Sequence, residues 1–248
     1  MSRIILTAAS RVGCVRANNE DMVLAFDKLV RSDVYATEWM TETIDRFVIA
    51  LADGMGGHNA GEVASSDVLG NLQYYVSDLP HNLATGEFCE KMEEWLQSVN
   101  HMVDSKGRVN PRMSEMGTTL VAVVFYNRKY YWMNCGDSRL YRMRDGELRQ
   151  ITTDHSLNVK RGEKKHSNII TNCIGAGCKN VYMDMFEFTD DVLPGDTYML
   201  CSDGLNDMID DDHIASLLAE HCSANALCQA AIDAGGFDNV SVCVFHVK

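Results

Sequence analysis

The chain has 248 residues, is 46% hydrophobic and carries a formal net charge of −13. This length and apolar content are sufficient to bury a large core. No proline-rich, serine-rich or low-complexity linker divides the sequence, so we expect one domain over residues 1–248. The negative charge disfavours nucleic acid as a partner, because the phosphate backbone would be repelled.

Neither a membrane span nor a secretory signal is predicted. The longest apolar stretch, residues 120–126, is too short to cross a bilayer, and the apolar run at 4–6 is too short for a signal core. Nine cysteines are scattered without a Cys-x-x-Cys pair, which is typical of reduced, mostly buried thiols in a reducing compartment. We therefore expect a cytoplasmic chain with no membrane partner.

Apolar patterns in the first half predict strands followed by two helices. In chain order these are strands 4–8, 22–26 and 47–52 and helices 61–79 and 87–103. The polar stretch 27–45 is predicted to be an irregular connection. Gly107 to Pro111 is predicted to break the second helix.

The second half is rich in hairpin strands, with Asp145-Gly146 as a strong turn signal. The predicted strands are 118–126, 129–135, 139–144, 147–151, 181–188, 198–201 and 240–247, and the predicted helices are 213–220 and 224–234. Residues 154–168 are predicted to be a surface loop. This order lacks the βαβ alternation of a parallel sheet. It favours an α+β fold in which antiparallel sheets pack face to face with helices outside.

Two segments share one pattern, an apolar run that ends on Asp-Gly. They are Phe47-Val-Ile-Ala-Leu-Ala-Asp53-Gly54 and Thr197-Tyr-Met-Leu-Cys-Ser-Asp203-Gly204. A lone Asp-Gly is usually a turn, but two buried strands that each deliver a carboxylate predict a site between them. Hard cations such as Mg²⁺ or Mn²⁺ prefer oxygen ligands of this kind. Glycine also allows its own carbonyl to approach an ion closely.

Further acids lie beside strand ends or glycines. They are Glu20, Asp21, Asp137, Asp207 and Asp238. Each alone could be a turn former or a solvated residue, but together with the Asp-Gly pair they indicate a cation site.

These acids fall in five of eight motifs that follow one another along the chain. The motifs are Arg16-x-x-Asn-Glu-Asp21, Ala52-Asp-Gly-Met-Gly-Gly-His-x-x-Gly-Glu-x-Ala-Ser65, Gly117-Thr-Thr-Leu, Asn134-Cys-Gly-Asp-Ser-Arg139, Thr153-Asp-His-Ser156, Asn168-Ile-Ile-Thr-x-x-Ile-Gly175, Cys201-Ser-Asp-Gly-Leu-x-Asp207 and Asp238-Asn-Val-Ser241. In this order they resemble the metal-dependent serine/threonine phosphatases of the protein phosphatase 2C type, in their compact bacterial form. The resemblance implies a four-layer α-β-β-α sandwich with the metal site in the cleft between the sheets.

The resemblance also implies a role for each acid. Asp53 would bridge two Mn²⁺ or Mg²⁺ ions, with the Gly54 carbonyl as a further ligand, and Asp203 and Asp238 would hold the second ion. Glu20 would ligate through water, and Asp21 would hydrogen-bond metal-bound water.

Two implied roles lie outside the pair of ions. Arg16 would bind the substrate phosphate through bidentate hydrogen bonds from its charged guanidinium group. Asp137 and Asp207, with Asp203, would form a weaker third metal site.

The implied activity is hydrolysis of phosphoserine and phosphothreonine on proteins, in signalling opposite a serine/threonine kinase. Two cations about 4 Å apart neutralise the phosphate dianion and lower the pKa of a bridging water, which attacks in line without a phosphoenzyme. No Cys-x5-Arg loop is present, so a cysteine mechanism is disfavoured. Two alternatives stay open: hydrolysis of small phosphate esters, and non-catalytic binding of phosphoproteins.

Two positions depart from the wider family. Met55 follows the first Asp-Gly where animal and plant members carry a histidine, so the leaving alkoxide would take its proton from metal-bound water. His58 is close in sequence and is interpreted as a loop residue. The segment 160–165 is short and basic where the family carries a longer flap. It is either a solvated loop or an attractor of acidic phosphopeptides.

Overall fold

Strands alternate along the chain with two groups of helices. The computed structural model describes residues 3–41, 44–56, 60–160 and 169–248. The strands are β1 (Arg3–Arg11), β2 (Met22–Ala25), β3 (Lys28–Val30), β4 (Val34–Met40), β5 (Arg46–Ala52), β6 (Gly54–Met55), β7 (Gly117–Thr118), β8 (Leu120–Tyr126), β9 (Lys129–Cys135), β10 (Arg139–Arg144), β11 (Glu147–Gln150), β12 (Ile174–Gly175), β13 (Asp184–Glu187), β14 (Thr197–Cys201) and β15 (Val240–Val247). The α-helices are α1 (Ala60–Asp78), α2 (Thr85–Val109), α3 (Leu157–Lys160), α4 (Asp203–Asn206), α5 (Asp211–Ala219) and α6 (Ala224–Asp233).

The longer strands form two six-stranded sheets, ordered β11-β10-β14-β15-β1-β4 and β13-β9-β8-β5-β2-β3. Neighbouring strands in both sheets run antiparallel. A small third sheet contains β6, β7 and β12. Because β1 pairs with β15 along its length, the first sheet joins the two ends of the described chain.

Apolar side chains from both sheets meet in a core between them. β8 is buried along its whole length, since successive side chains point to opposite faces and each face is covered. The core residues include Ile4, Leu6 and Leu200 from the first sheet and Ile49, Leu51 and Val123 from the second. The two sheets therefore pack face to face.

Helices cover the outer faces of both sheets. α1 and α2 pack on the second sheet through a cluster that includes Val68, Leu72, Phe88 and Trp95. α5 and α6 pack on the first sheet through a cluster that includes Ile214, Leu218 and Leu227. The predicted α+β fold, a four-layer α-β-β-α sandwich, is confirmed.

The prediction of an irregular connection over 27–45 is wrong. β3 pairs with β2 in the second sheet and β4 pairs with β1 in the first, so the chain crosses between the sheets here. Along β4 exposed and half-buried residues alternate, because the strand lies at a sheet edge. That alternation is weak in sequence because polar residues stand at several of its positions.

The second long helix extends past its predicted end, from Thr85 to Val109. Gly107 continues the helix rather than ending it. A Cβ at Gly107 would lie 2.7 Å from the Met113 carbonyl oxygen. The glycine is therefore needed where the returning chain packs against the last helical turn.

The cysteines, the helices and the loop 154–168 are each the subject of a sequence prediction. All nine cysteines lie in described ranges and are free thiols, five of them buried. Among the helices of those ranges, none has the length and apolar character needed to cross a membrane. α3 lies inside the predicted surface loop 154–168, and residues 161–168 are outside the described chain.

Candidate metal centre

The candidate acids lie at one end of the sandwich, where strands of both sheets begin or end. Asp53 follows β5 of the second sheet, and Asp203 starts α4 one residue after β14 of the first. Glu20 and Asp21 precede β2, whose first residue pairs with the last of β5. Asp238 precedes β15, and Asp137 lies between β9 and β10, where the chain passes from one sheet to the other.

The acids act on one another electrostatically. Burial, followed by the charges of Asp21 and Asp203, raises the pKa of Asp53 well above its ordinary value. Burial raises the pKa of Asp21 to about 7, and the charges of Asp203 and Asp238 add to this shift. Burial and the charge of Asp203 raise the pKa of Asp137 to about 7. The site therefore gathers more negative charge than its buried setting stabilises.

Two buried carboxylate oxygens lack hydrogen-bond partners among the described residues, Asp21 Oδ1 and Asp137 Oδ2. The other oxygen of Asp21, Oδ2, accepts a hydrogen bond from the Ser202 hydroxyl at 2.8 Å. An unpartnered buried carboxylate oxygen is costly unless it is protonated or faces a cation. An all-oxygen donor set of this kind suits a hard cation such as Mn²⁺ or Mg²⁺. The residues present therefore fit the predicted metal centre.

The acids do not form a ready ligand set as the side chains stand. Over the described ranges, no three His, Cys, Asp or Glu side chains make a group that could hold a metal ion. Asp238 Oδ2 instead accepts a hydrogen bond from Arg16 Nη2 at 2.6 Å. One oxygen of Asp238 is thus engaged by Arg16, and the assignment of acids to particular ions stays a prediction.

Arg16 is thus placed beside the acids, as the resemblance implied. Its hydrogen bond to Asp238 raises the pKa of its guanidinium. The Arg16 side chain is 54% exposed, so it can leave Asp238 for an incoming anion.

Close backbone packing holds Glu20 at the start of α1. A Cβ at Gly54 would lie 2.2 Å from the Gly61 carbonyl oxygen and 2.5 Å from the Glu20 carbonyl oxygen. A Cβ at Gly61 would lie 2.8 Å from Cδ of Glu20. The Gly61 backbone N–H donates to the Glu20 carboxylate, although burial is the larger effect and raises the pKa of Glu20. The two glycines of the second motif therefore make room for the Glu20 backbone and side chain.

The second Asp-Gly packs against the last motif in the same way. A Cβ at Gly204 would lie 1.9 Å from the Asn239 carbonyl oxygen. The Asn239 side chain accepts from the Glu20 backbone N–H at 2.8 Å and donates to the carbonyls of Val12 and Asn18. Asn239 therefore links the Asp203 and Glu20 segments.

Sequence reasoning missed Arg31, which lies between β3 and β4. Its Nε donates to the Asp21 carbonyl at 2.9 Å, and its Nη2 donates to the Glu62 carbonyl and the Ser65 hydroxyl. The Ser65 hydroxyl donates in turn to the Glu20 carbonyl at 2.6 Å. Arg31 fixes the Glu20-Asp21 backbone to α1, but a single arginine in a polar stretch gives no sequence signal for this role.

The predicted third site is only partly assembled. Asp137 is 1% exposed, and the charges of Asp203, Asp154 and Asp207 all contribute to its raised pKa. Asp207 follows α4 and is exposed. Met55 lies in β6, whereas His58 and most of the basic segment 160–165 lie outside the described residues.

Comparison with known proteins gives a consistent result. A family model described as Protein phosphatase 2C matches residues 27–243, a range that begins after Arg16, Glu20 and Asp21. The serine/threonine protein phosphatase PstP of Mycobacterium tuberculosis is 35% identical over 263 residues, covering 100% of this chain. The chain spans 46% of the length of that relative. The serine/threonine phosphatase stp of Listeria monocytogenes is 33% identical over 217 residues, covering 79% of this chain and 82% of its own.

Solved structures are also similar. The serine/threonine phosphatase of S. agalactiae has a TM-score of 0.83 at 27% identity and covers 99% of this chain and 100% of its own. The catalytic domain of PstP in complex with 2 manganese ions has a TM-score of 0.76 at 34% identity and covers 100% of this chain and 99% of its own. The similarity therefore extends over the whole described fold.

Proposed function

The chain belongs to the protein phosphatase 2C family, and we propose that it hydrolyses phosphoserine and phosphothreonine on proteins at a centre of two Mn²⁺ or Mg²⁺ ions. The observation that carries this proposal is a group of acids at the ends of strands from both sheets, in which the buried Asp21 and Asp137 each have an unpartnered carboxylate oxygen. The manganese complex of the similar PstP catalytic domain supports it.

Seven residues would hold the ions or the water around them. Asp53, the Gly54 carbonyl, Asp203 and Asp238 would be direct ligands, Glu20 would act through water, and Asp137 and Asp207 would hold a weaker third ion with Asp203. When bound, the ions supply positive charge that neutralises the phosphate dianion and lowers the pKa of water.

Arg16 binds and orients the phosphate. Its guanidinium leaves Asp238, to which it donates at 2.6 Å, and donates to the phosphate oxygens as a fork. This exchange is favourable because the phosphate dianion carries more charge than the single carboxylate that it replaces. Arg16 would thereby orient the phosphate for attack by water.

Asp21 positions the attacking water. Ser202 donates to Asp21 Oδ2, and the free Oδ1 accepts a hydrogen bond from water in the centre. Burial raises the pKa of Asp21 to about 7. Cations held by the neighbouring acids would lower that pKa, so the carboxylate form would be present to accept the bond.

The proton for the leaving alkoxide comes from water rather than from a side chain after the first Asp-Gly. Met55 occupies that position and has no transferable proton. A cysteine nucleophile is disfavoured for the buried thiols, because burial raises the pKa of Cys135, Cys201 and Cys243, whereas a nucleophilic thiol needs a lowered pKa.

The partner and location follow from the same proposal. We infer that the substrate is a phosphoprotein made by a serine/threonine kinase, and that residues 1–248 form a single catalytic domain, since β1 and β15 pair across the sequence. Nine free cysteines favour a reducing compartment, so we place the activity in the cytoplasm.

A substrate panel tests the proposal. Hydrolysis of a phosphothreonine peptide, a phosphoserine peptide, a phosphotyrosine peptide and a small aryl phosphate is compared in Mn²⁺ and in Mg²⁺. We expect kcat/KM for the phosphothreonine and phosphoserine peptides to exceed that for the phosphotyrosine peptide by at least about tenfold. Turnover of the small ester alone would instead identify a small-molecule hydrolase, and binding without turnover would identify a non-catalytic phosphoprotein binder.

A further inference from the structure

Two loops beside the candidate centre are clasped together by glycine-dependent contacts. The backbone N–H of Cys14 donates to the Gly236 carbonyl at 2.7 Å. A Cβ at Gly13 would lie 2.2 Å from the Asp238 carbonyl oxygen, and the φ of Gly13 is +77°. Gly235 and Gly236 also have positive φ, +138° and +56°. We call residues 12–18 and 234–239 the loop clasp.

The loop clasp presents two large apolar side chains to solvent. Val15 is 65% exposed and Phe237 is 63% exposed. The Phe237 ring lies over Gly235, where a Cβ would meet ring carbon Cε2 at 3.2 Å. The ring is therefore placed by the loop backbone while most of its surface stays uncovered.

Val15 and Phe237 differ from other exposed apolar residues in their position next to the candidate centre. Single exposed apolar residues are normal on a protein surface. Val15, however, directly precedes Arg16 and Phe237 directly precedes Asp238, and these two charged residues pair at 2.6 Å. Since consecutive Cα atoms are about 3.8 Å apart, Val15 starts one residue from Arg16, which is assigned to the phosphate. Phe237 starts one residue from Asp238, the acid that pairs with Arg16.

We propose that Val15 and Phe237 form an apolar rim that selects phosphoproteins carrying a large apolar side chain within two positions of the phosphorylated residue. This inference rests on the proposed function and names its substrate class. An extended peptide advances by about 3.3–3.6 Å per residue. A side chain one or two positions from a phosphate held by Arg16 therefore reaches the rim.

The apolar character of the rim determines which kind of substrate side chain it can bind. The chain has a net charge of −13, and acids surround Arg16 on the side of the centre. Val15 and Phe237 offer no hydrogen bond and no charge, so they gain only from covering apolar surface. A flanking leucine or phenylalanine supplies such surface, whereas serine or aspartate does not.

The test compares two phosphothreonine peptides that differ only by leucine or serine on both sides of the phosphothreonine. The enzymes are the Mn²⁺-loaded wild type, the Val15→Ser/Phe237→Ser double variant, the single variant Val15→Ser, and Val109→Ser as a matched control. Val109 is 86% exposed and ends α2, outside the loop clasp. Melting curves check that each variant is folded, and the single variant serves if the double variant is not.

For the wild type we expect the leucine peptide to have a kcat/KM about five- to twentyfold higher, mainly through a lower KM. In the double variant the ratio of kcat/KM between the leucine and serine peptides should fall to about one, within twofold. Its hydrolysis of a small aryl phosphate should stay within about twofold of wild type. Val109→Ser should keep the full ratio.

Two results overturn the inference. Equal turnover of both peptides by the wild type refutes the rim while the proposed function stands, and so does an unchanged ratio in folded rim variants. Failure of the Mn²⁺-loaded wild type to hydrolyse any phosphopeptide refutes the proposed function itself. The two failures are thereby distinguished.

Discussion

The two Asp-Gly corners share a sequence pattern but have different backbones. Asp53-Gly54 passes from β5 into the short strand β6, whereas Asp203-Gly204 passes from β14 into α4. In both, a Cβ on the glycine would overlap a backbone carbonyl oxygen, at 2.2 Å for Gly54 and 1.9 Å for Gly204. The pattern therefore marks a carboxylate at a sheet end with close backbone packing beside it, not a repeated structural unit.

The surroundings of the two aspartates also differ. The Asp53 carbonyl accepts from the Thr118 hydroxyl at 2.8 Å and from the Thr119 backbone N–H at 2.9 Å, so the first corner is held rigidly by the small sheet. The charge of Asp203 acts on Asp21, Asp53 and Asp137. Asp203 therefore acts on both the central acids and Asp137 of the predicted third site, as expected if it holds ions in both.

Substitution of Asp53 and of Asp203 should show whether the two aspartates have different roles in metal binding and catalysis. Asp53→Asn is expected to lower kcat/KM on a phosphothreonine peptide by about 10³-fold, roughly 4 kcal/mol of transition-state stabilisation, because it would remove the ligand that we propose both ions share. Asp203→Asn should lose metal and rate together, by about a hundredfold. Kinetics and Mn²⁺ titration calorimetry measure both effects.

Asp207→Asn is the matched control for that pair. It concerns only the weaker third site, so the rate should stay within about tenfold of wild type. A full rate in Asp203→Asn would refute the role assigned to Asp203. Equal losses of rate in all three variants would show that Asp53, Asp203 and Asp207 do not differ in their roles.

The glycine corners should be sensitive to a single methyl group. Gly204→Ala and Gly54→Ala are each expected to lower the free energy of unfolding by about 3 kcal/mol, because the new Cβ overlaps backbone that must shift. Denaturant titration measures the loss. Gly70→Ala is the control: it lies in α1 with nothing within 4 Å of a Cβ, so it should stabilise the protein by about 0.5–1 kcal/mol. Corner variants as stable as Gly70→Ala would contradict the packing argument.

The raised pKa values predict how the chelated protein responds to pH. The pKa values of Asp21 and Asp137 rise from 3.8 to about 7 on folding. The folded state therefore binds protons more tightly, and its stabilisation, complete below the unfolded value, is lost as pH rises through about 7. We expect the melting temperature in chelator to fall by roughly 5 °C between pH 5 and pH 8.

The control for this prediction is Asp137→Asn, which removes one of the two titrating groups without adding charge. Its melting temperature should depend less on pH across the same interval. A melting temperature that rises from pH 5 to pH 8 in the chelated wild type would contradict the assigned direction of both shifts.

Local sequence signals predicted most of the long strands and the acids at their ends, but not β3 and β4. An apolar run before Asp53 and Asp203 is a property of neighbouring residues, and the order of motifs predicted the site residues by resemblance. Contacts between distant segments could not be predicted in this way. Arg31 reaches Asp21 and Ser65 only because β3 and β4 lie in different sheets. The pairing of Arg16 with Asp238, 222 positions apart, likewise depends on the closed fold.

The most direct test of the account is activity and stability in excess chelator, with metal loss confirmed by elemental analysis. Turnover of a phosphothreonine peptide should be abolished and the melting temperature should fall, and both should return on addition of Mn²⁺. Unchanged turnover by the metal-free protein would contradict it, because the acids at the mouth between the sheets would then have no part in the reaction.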